Sequence, residues 1–266
     1  MKQEITMKTQ RKYFFFDIDG TLTDRATNQV VPSAKEAIRL LQKNGHFCAI
    51  NTGRAAYKGA PVMDQVGVDN MICNGGRGLI VDRELIKNIP LDFDAAKSLY
   101  DQALEKGYGM LVAQDNSIDV YAANFDFIRQ GGERLEPTRY IIDKDYVPHP
   151  PIYKMYVAIP PEEEANLPLL NHSDEYGALR FEAGYLIIQP DEKKNGILRM
   201  LEAIDGDPAN TVVFGDDTND LDMFADPFYK IAMGNGHPDL KAVADEVAPK
   251  NTDDGIFKVC KAHGWI

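Results

Sequence analysis

Tyr13-Phe14-Phe15-Phe16 is an unbroken aromatic run that ends on the acidic stretch Asp17-Ile18-Asp19. A strand with one wet face alternates apolar and polar residues, whereas a run with no polar member needs cover on both faces. Strands of that kind belong to parallel sheets sandwiched between helices, and parallel neighbours need a crossover between them. The next segment supplies one. Pro32 to Gly45 reads as a helix with Ala37, Ile38, Leu40 and Leu41 on one side, Ser33 and Glu36 at capping-box spacing, and Gly45 to close it. His46 to Ile50 and Asp69 to Cys73 read as further buried strands, so the connections are expected to be right-handed.

The last third repeats the idiom. Lys194 to Ile204 reads as a helix, Thr211 to Phe214 as a buried strand stopping at Gly215, Leu221 to Ala225 as a helical restart and Tyr229 to Met233 as a short strand. The middle differs. Asp94 to Lys106 reads as a helix. Strands are expected at Tyr108 to Gln114, Ile118 to Tyr121, Tyr153 to Ile159, Leu179 to Phe181 and Tyr185 to Ile188, with turns at Asp115-Asn116 and Ala183-Gly184. The expected fold is therefore α/β: a doubly wound parallel-sheet core from residues 1–82 and 190–266, with an α+β cap inserted at 83–189.

Net charge is -12 over 266 residues, which disfavours nucleic acid and anionic membrane as partners because both are polyanions. Any site for an anion would need local positive charge from a metal, a lysine or a helix N-terminus. The opening Met1 to Lys12 is polar, and Tyr13 to Phe16 is too short for a secretory h-region. With no apolar stretch near a membrane span, a cytoplasmic protein is the expectation. Cys48, Cys73 and Cys260 are odd in number and widely spaced, which suggests buried thiols rather than a disulfide framework.

Ligands of open α/β sheets sit beyond the carboxyl ends of the strands, and four polar clusters fall there. Asp17 and Asp19 leave the aromatic strand two residues apart. In extended backbone they would point to one side, able to hold a hard cation or to divide attack and proton transfer. Such a pair reads equally as a solvated acidic turn. An EF-hand is disfavoured because Gly20 follows Asp19 directly and position 26 is Ala26. Asn51-Thr52-Gly53-Arg54 offers a hydroxyl and backbone N–H groups for a phosphate oxygen, or merely an N-capped turn. Lys193, with Lys194 beside it, stands before a helix, where the dipole disfavours a cation unless it is used, although a solvated lysine pair would look the same. Gly215-Asp216-Asp217-Thr218-Asn219-Asp220 gathers carboxylates that repel one another unless a cation is near.

In this order the four clusters resemble the motifs of the haloacid dehalogenase superfamily: D-x-D-G-T, T-G-R, a lysine before a helix, then G-D-x-x-N-D. The stretches Ala232-Met233-Gly234-Asn235-Gly236 and Asn251-Thr252-Asp253-Asp254-Gly255, with Asn74-Gly75-Gly76 before the insertion, look like its Cof-type branch, subfamily IIB, which carries a C2-type α+β cap. The resemblance covers roughly residues 11–82 and 190–257. It implies an Mg2+-dependent phosphatase acting on a small phosphorylated metabolite, such as a sugar phosphate. Asp17 would be the nucleophile and Asp19 the acid and base. Thr52 and the Gly53 N–H would hold the phosphoryl group and Lys193 would neutralise it. Asp216 would join Asp17 and the Asp19 carbonyl on Mg2+, with Asp220 in support, and Asn219 would touch phosphate or hold the loop.

The family's K-G-x-[G/A]-[I/L] pattern fits imperfectly. Alignment on Gly196-Ile197 selects Lys193, and alignment on Leu201 would select Lys194. Gly236 stands where the branch usually has alanine. Two rival readings are a phosphomannomutase-like phosphotransferase, which would need a basic cap, and a non-catalytic metal-binding module for Mg2+ or Ca2+. Cap arginines available for the former are Arg129, Arg134, Arg139 and Arg180. Tyr153, Lys154, Tyr156, Arg180 and Glu182 are candidates for cap specificity, and linkers near Asp82 and Pro190 would allow the cap to open. Oligomeric state leaves no signal in the sequence.

Overall fold

The computed structural model describes residues 10–134, 137–171 and 177–266. Met1 to Thr9 and the side chain of Glu182 lie outside the described residues. The chain forms two compact units, Met1–Ile86 with Glu192–Ile266, and Lys87–Asp191.

In chain order the first strands are β1 (Tyr13–Phe16), β2 (Phe47–Asn51), β3 (Met71–Cys73), β4 (Gly78–Val81) and β5 (Glu84–Asn88). The middle unit holds β6 (Met110–Ala113), β7 (Asp119–Ala122), β8 (Arg139–Ile142), β9 (Lys154–Val157), β10 (Ala178–Glu182) and β11 (Tyr185–Ile188). The chain returns with β12 (Thr211–Gly215), β13 (Tyr229–Ala232) and β14 (Glu246–Val247).

The first unit is built on one sheet in the order β14-β13-β12-β1-β2-β3-β4-β5. Pairing is parallel from β14 through β3 and turns antiparallel between β3 and β4. The aromatic strand β1 is central, flanked by β12 and β2 in a register that aligns Phe16 with both Phe214 and Ile50. All four of its residues are buried, as an all-apolar strand requires. Phe14 and Phe16 pack with Phe214, Ile38, Leu41, Val259 and Trp265 on one face. Tyr13 and Phe15 pack with Phe47, Ile197, Met200 and Leu201 on the other. The first face is covered by α1 (Pro32–Lys43), α2 (Ala56–Val66) and, from the C-terminal segment, Gly255–Ala262. The second carries the helix Lys193–Ala203.

Two local expectations give way. The first helix begins at Pro32 with Val31 as N-cap and no side-chain cap, so Ser33 lies inside the first turn and the Ser33–Glu36 capping box does not form. Proline already fixes the entry, and it has no N–H to cap. Asp82, near which a linker is expected, makes the tight β4–β5 turn with Arg83, both with φ in the left-handed region (49° and 69°).

The middle unit has a sheet in the order β10-β11-β9-β6-β7-β8, antiparallel except for the β7–β8 pair. The helix α3 (Phe93–Glu105) packs on one face, and the short α4 (Asp126–Gly131) places Phe127 against Tyr156 and Tyr185 on the other. Tyr156 is thus core, and Arg180 is spent on Glu164 and the Ile159 carbonyl. The parallel core and the inserted α+β unit are the architecture expected from the sequence.

One close contact fixes the helix Lys193–Ala203, hereafter α5. Its Gly196 abuts Ile72 and Gly76, where an added Cβ would lie 2.6 Å from Ile72 Cγ2 and 2.7 Å from Gly76 Cα. The Glu192 N–H donates to Gly75 O at 2.8 Å, and Arg199 donates to Gly76 O at 3.0 Å. Gly196→Ala is expected to cost about 1–3 kcal/mol by overpacking, while exposed Asn195→Ala stays within about 0.5 kcal/mol. Urea unfolding of both variants checks this, and equal midpoints would contradict the contact.

Candidate active site

Three loops leave the carboxyl ends of β1, β2 and β12, and the parallel register brings them together. The Asp17 N–H donates to Phe214 O at 3.0 Å, so Asp17 sits beside the Gly215-Asp216 turn. On the other side, the Thr52 N–H donates to Ile72 O at 2.9 Å and Thr52 O accepts from the Gly75 N–H at 3.2 Å. This docks the second loop on the segment that receives α5.

Lys193, the first residue of α5, has no solvent exposure. Its Nζ donates to Asp17 Oδ1 at 2.8 Å and to Asp220 Oδ1 at 2.6 Å. Lys194 instead offers its backbone N–H to Asp222 at 2.7 Å. Of the two candidate lysines, Lys193 is therefore the one the fold turns inward. The other oxygen of Asp220 accepts the N–H groups of Asp216 (2.9 Å) and Asp217 (3.2 Å), which fixes the β12 loop. Gly215 is required there, since a Cβ would meet the Asp220 carboxyl carbon at 2.7 Å.

Asp17, Asp216 and Asp220 are buried, each offering an oxygen within 4.8 Å of the others. Burial and the Asp220 charge push the Asp17 carboxyl up to about 8, although Lys193 pulls it down. Burial also raises Asp216, to about 6, against the opposing pull of Arg25. Burial works against the charge on Lys193, but Asp17 and Asp220 outweigh it and hold the ammonium protonated well above its usual range. Lys193 reaches two of the three buried carboxylates, Asp17 and Asp220, and the crowding of like charges leaves the group with an extra proton near neutrality. An all-oxygen, electron-rich donor set of this kind fits a hard divalent cation.

Asp19 departs from the extended geometry expected of it. Ile18 O accepts the N–H groups of Thr21, Leu22 and Thr23, so the chain turns at once after Asp17. The Asp19 carboxylate is half-exposed, outside the buried carboxylate group, and is gripped by both Nε (3.0 Å) and a terminal nitrogen of Arg54. Thr52 is buried, and its hydroxyl oxygen accepts the Arg54 N–H at 3.1 Å. Gly53 lies between them at the loop apex. Asn219 is half-buried, and its side chain has no hydrogen-bond partner among the described residues.

Several participants escaped sequence reasoning. Arg25 contacts Asp216 and Asp217, and nothing in the sequence marks it except that it is a cation in an acidic loop. Arg54 is visible as the end of T-G-R, but its partner is not. Asn51 donates to Lys193 O at 3.2 Å, which anchors the start of α5. The two tail stretches brace the first loop: Asn235 donates to Gly20 O and Asn251 to Thr23 O, both at 2.8 Å. Gly236 packs on the β12 loop, where a Cβ would come within 2.8 Å of Asp216 O. The three cysteines are buried and form no disulfide, and among the described residues no helix is long and apolar enough to cross a membrane.

The family model of haloacid dehalogenase-like hydrolases matches residues 14–260, and the chain belongs to that family. A protein of Bacillus subtilis strain 168 named "Putative phosphatase YkrA" is 27% identical over 257 residues, 96% of this chain and 98% of that one. Among solved structures, a hypothetical protein from Geobacillus kaustophilus HTA426 superposes with a TM-score of 0.82 at 28% identity, covering 96% of this chain and all of that one. The subclass IIB sugar phosphatase BT4131 superposes with a TM-score of 0.74 at 25% identity, again over 96% of this chain and 100% of that one.

The charge of the site predicts an unusual pH response. Folded-state values of about 8 for Asp17 and about 6 for Asp216 exceed the unfolded carboxylate value near 4. Their protonation therefore stabilises the metal-free fold fully below pH ~4, and that contribution is lost as pH rises through 6 to 8. Each group acts at about 1.4 kcal/mol per pH unit in its window. In EDTA, the melting temperature should fall from pH 5 to pH 8, and Asp17→Asn should remove most of the fall above pH 6. A wild-type curve that is flat or rises over this range would contradict the arrangement.

Proposed function

We propose that this enzyme hydrolyses small phosphate monoesters with Mg2+ through a phosphorylated Asp17. Its class, phosphoric monoester hydrolase, comes with the family and with relatives that carry phosphatase in their names. The finer reading rests on one observation: a nucleophile-bearing loop, an acidic loop and a buried lysine share one ion-paired group at the carboxyl ends of adjacent parallel strands.

Asp17 and Asp216 would hold Mg2+ with the Asp19 carbonyl, and Asp220, whose oxygens already serve Lys193 and two backbone N–H groups, supports them from behind. When bound, the cation neutralises phosphate oxygens and the carboxylates around it. The remaining steps belong to side chains. An Asp17 oxygen attacks phosphorus as the bond to the leaving oxygen breaks, and the Asp19 carboxyl delivers its proton to that oxygen. Asp19, now a carboxylate, takes a proton from water as the water oxygen attacks phosphorus. The bond to Asp17 breaks, and phosphate and free Asp17 result. Lys193, Thr52 and the Gly53 N–H face charge that spreads over the transferring group. Asn219, with its amide unspent, is suited to the same task. Arg54 holds and aims Asp19.

Hydrolysis is favoured over transfer to a second phosphorylated substrate by the state of the cap arginines. Arg129 pairs with Asp126, Arg139 with Asp119 and Arg180 with Glu164, while Arg134 covers the Tyr156 ring at 4.2 Å. None of the four stands ready as a clamp for a second phosphate. Small phosphorylated metabolites are the proposed substrates, with sugar phosphates foremost because BT4131 is described as a sugar phosphatase.

Phosphate release should be measured over a panel of phosphorylated metabolites with Mg2+ and with EDTA, alongside isomerisation of a hexose phosphate. Release is expected with Mg2+ only, and without isomerisation. Asp17→Asn and Asp19→Ala should abolish turnover, and Lys193→Met should lower it by about 10²–10³-fold. Full turnover by Asp17→Asn would sink the mechanism, and isomerisation without net release would make the enzyme a mutase.

A further inference from the structure

Arg25 has no place in the reaction above, yet it touches the site. It follows the first loop, and its side chain is half-exposed, whereas that of Asp216 is buried. Nε donates to Asp216 Oδ2 at 3.0 Å, one terminal nitrogen lies 2.8 Å from the same oxygen, and that nitrogen donates to Asp217 Oδ2 at 2.7 Å. The guanidinium passes directly over Gly20, where a Cβ would stand 2.5 Å from Arg25 Nε and 2.1 Å from Asp216 Oδ2. A glycine with φ of 88° is what leaves room for this approach.

The charges decide what the contact does. Asp17, Asp216 and Asp220 carry three negative charges when ionised, and Lys193 returns one. The deficit of two is the charge of one divalent cation. Arg25 brings Asp217 with it, so the pair adds no net charge; what matters is the shared oxygen. Two Arg25 nitrogens already lie on Asp216 Oδ2, and a divalent cation on that buried carboxylate would stand against the guanidinium, where like charges repel. Arg25 and the cation are therefore alternative partners of the same carboxylate. The geometry also provides a way out. Asp217 is partly exposed and holds the same guanidinium nitrogen, so the long side chain can release Asp216 without losing its anchor.

We infer that Arg25 is a built-in counter-cation that stabilises the metal-free site and yields Asp216 when the divalent cation binds, so that it sets the Mg2+ concentration at which the site fills. This rests on the metal reading above, and its test separates the two. Mg2+ binding to the EDTA-treated, dialysed full chain is measured by calorimetry, together with melting temperatures before and after saturation, for wild type, Arg25→Gln and Arg25→Lys. Arg25→Gln is expected to bind Mg2+ about 3–10-fold more tightly, as befits the loss of a half-exposed ion pair. Its metal-free form should melt several degrees lower, and its saturated form should match wild type. Arg25→Lys, which keeps the charge but not the forked contact, should fall between them. Weaker Mg2+ binding by Arg25→Gln would mean that Arg25 orients Asp216 as a ligand, and unchanged binding would mean that the contact is incidental; either result overturns the inference. A wild-type protein that neither binds Mg2+ nor is stabilised by it would overturn the metal reading first and this inference with it.

Discussion

A lysine without solvent contact dominates the construction of this protein. Removing an ammonium from water is costly, and the cost is offset only when its partners are close and well aimed. Lys193 has Asp17 and Asp220 at 2.8 Å or less, which join segments 176 and 27 residues away in sequence. Neither partner could be lost lightly, since leaving one member of a buried pair alone costs about 3–5 kcal/mol. The interaction thus requires β1 and β12 to be neighbours, α5 to start at a set depth, and the β12 loop to fold back so that Asp220 can reach. The Gly196–Gly76 approach and the Asn51 bond to Lys193 O set that depth.

The legible parts of the fold were those in which burial alone decides the residue type. Four aromatics in a row, Phe47 to Ile50 and Thr211 to Phe214 have no polar face and therefore declare a two-sided sheet. The cap strands were found with less accuracy because half-wet strands tolerate many residues, and β8 and the β4–β5 pair were missed. Arg139 to Ile142 looks like loop until its parallel pairing with β7 is known. The failed capping box has a similar cause: Ser33 and Glu36 have the right spacing, but Pro32 had already taken the N-terminal position.

At the site, the sequence revealed which residues gather but not how they pair. Position in the chain predicts which loop a carboxylate occupies, because strand order and register fix the loops. It does not predict rotamers or a partner on another loop. Arg25 lies 191 residues from Asp216 and Arg54 lies 35 from Asp19, and no local pattern encodes either pair. The turn at Ile18 is also invisible in D-x-D, although it is what parts Asp17 from Asp19.

That parting bears on how an acidic protein can attract an anion. With a net charge of -12, long-range attraction is unavailable, and the positive charge must be local. The structure gives each of these four aspartates a cationic partner, and Asp17 and Asp220 share one. Asp17 has Lys193, Asp19 has Arg54, Asp216 has Arg25, and Asp220 has Lys193 together with two backbone N–H groups. Four chemically identical side chains thereby occupy different environments: three are dry, two of them tied to the lysine and one facing a cation that can leave, and the fourth is half-wet and tied to an arginine. Differences of environment are what separate a nucleophile from a proton carrier and both from a ligand. The division of labour thus resides less in the aspartates than in the cations that the fold delivers to them.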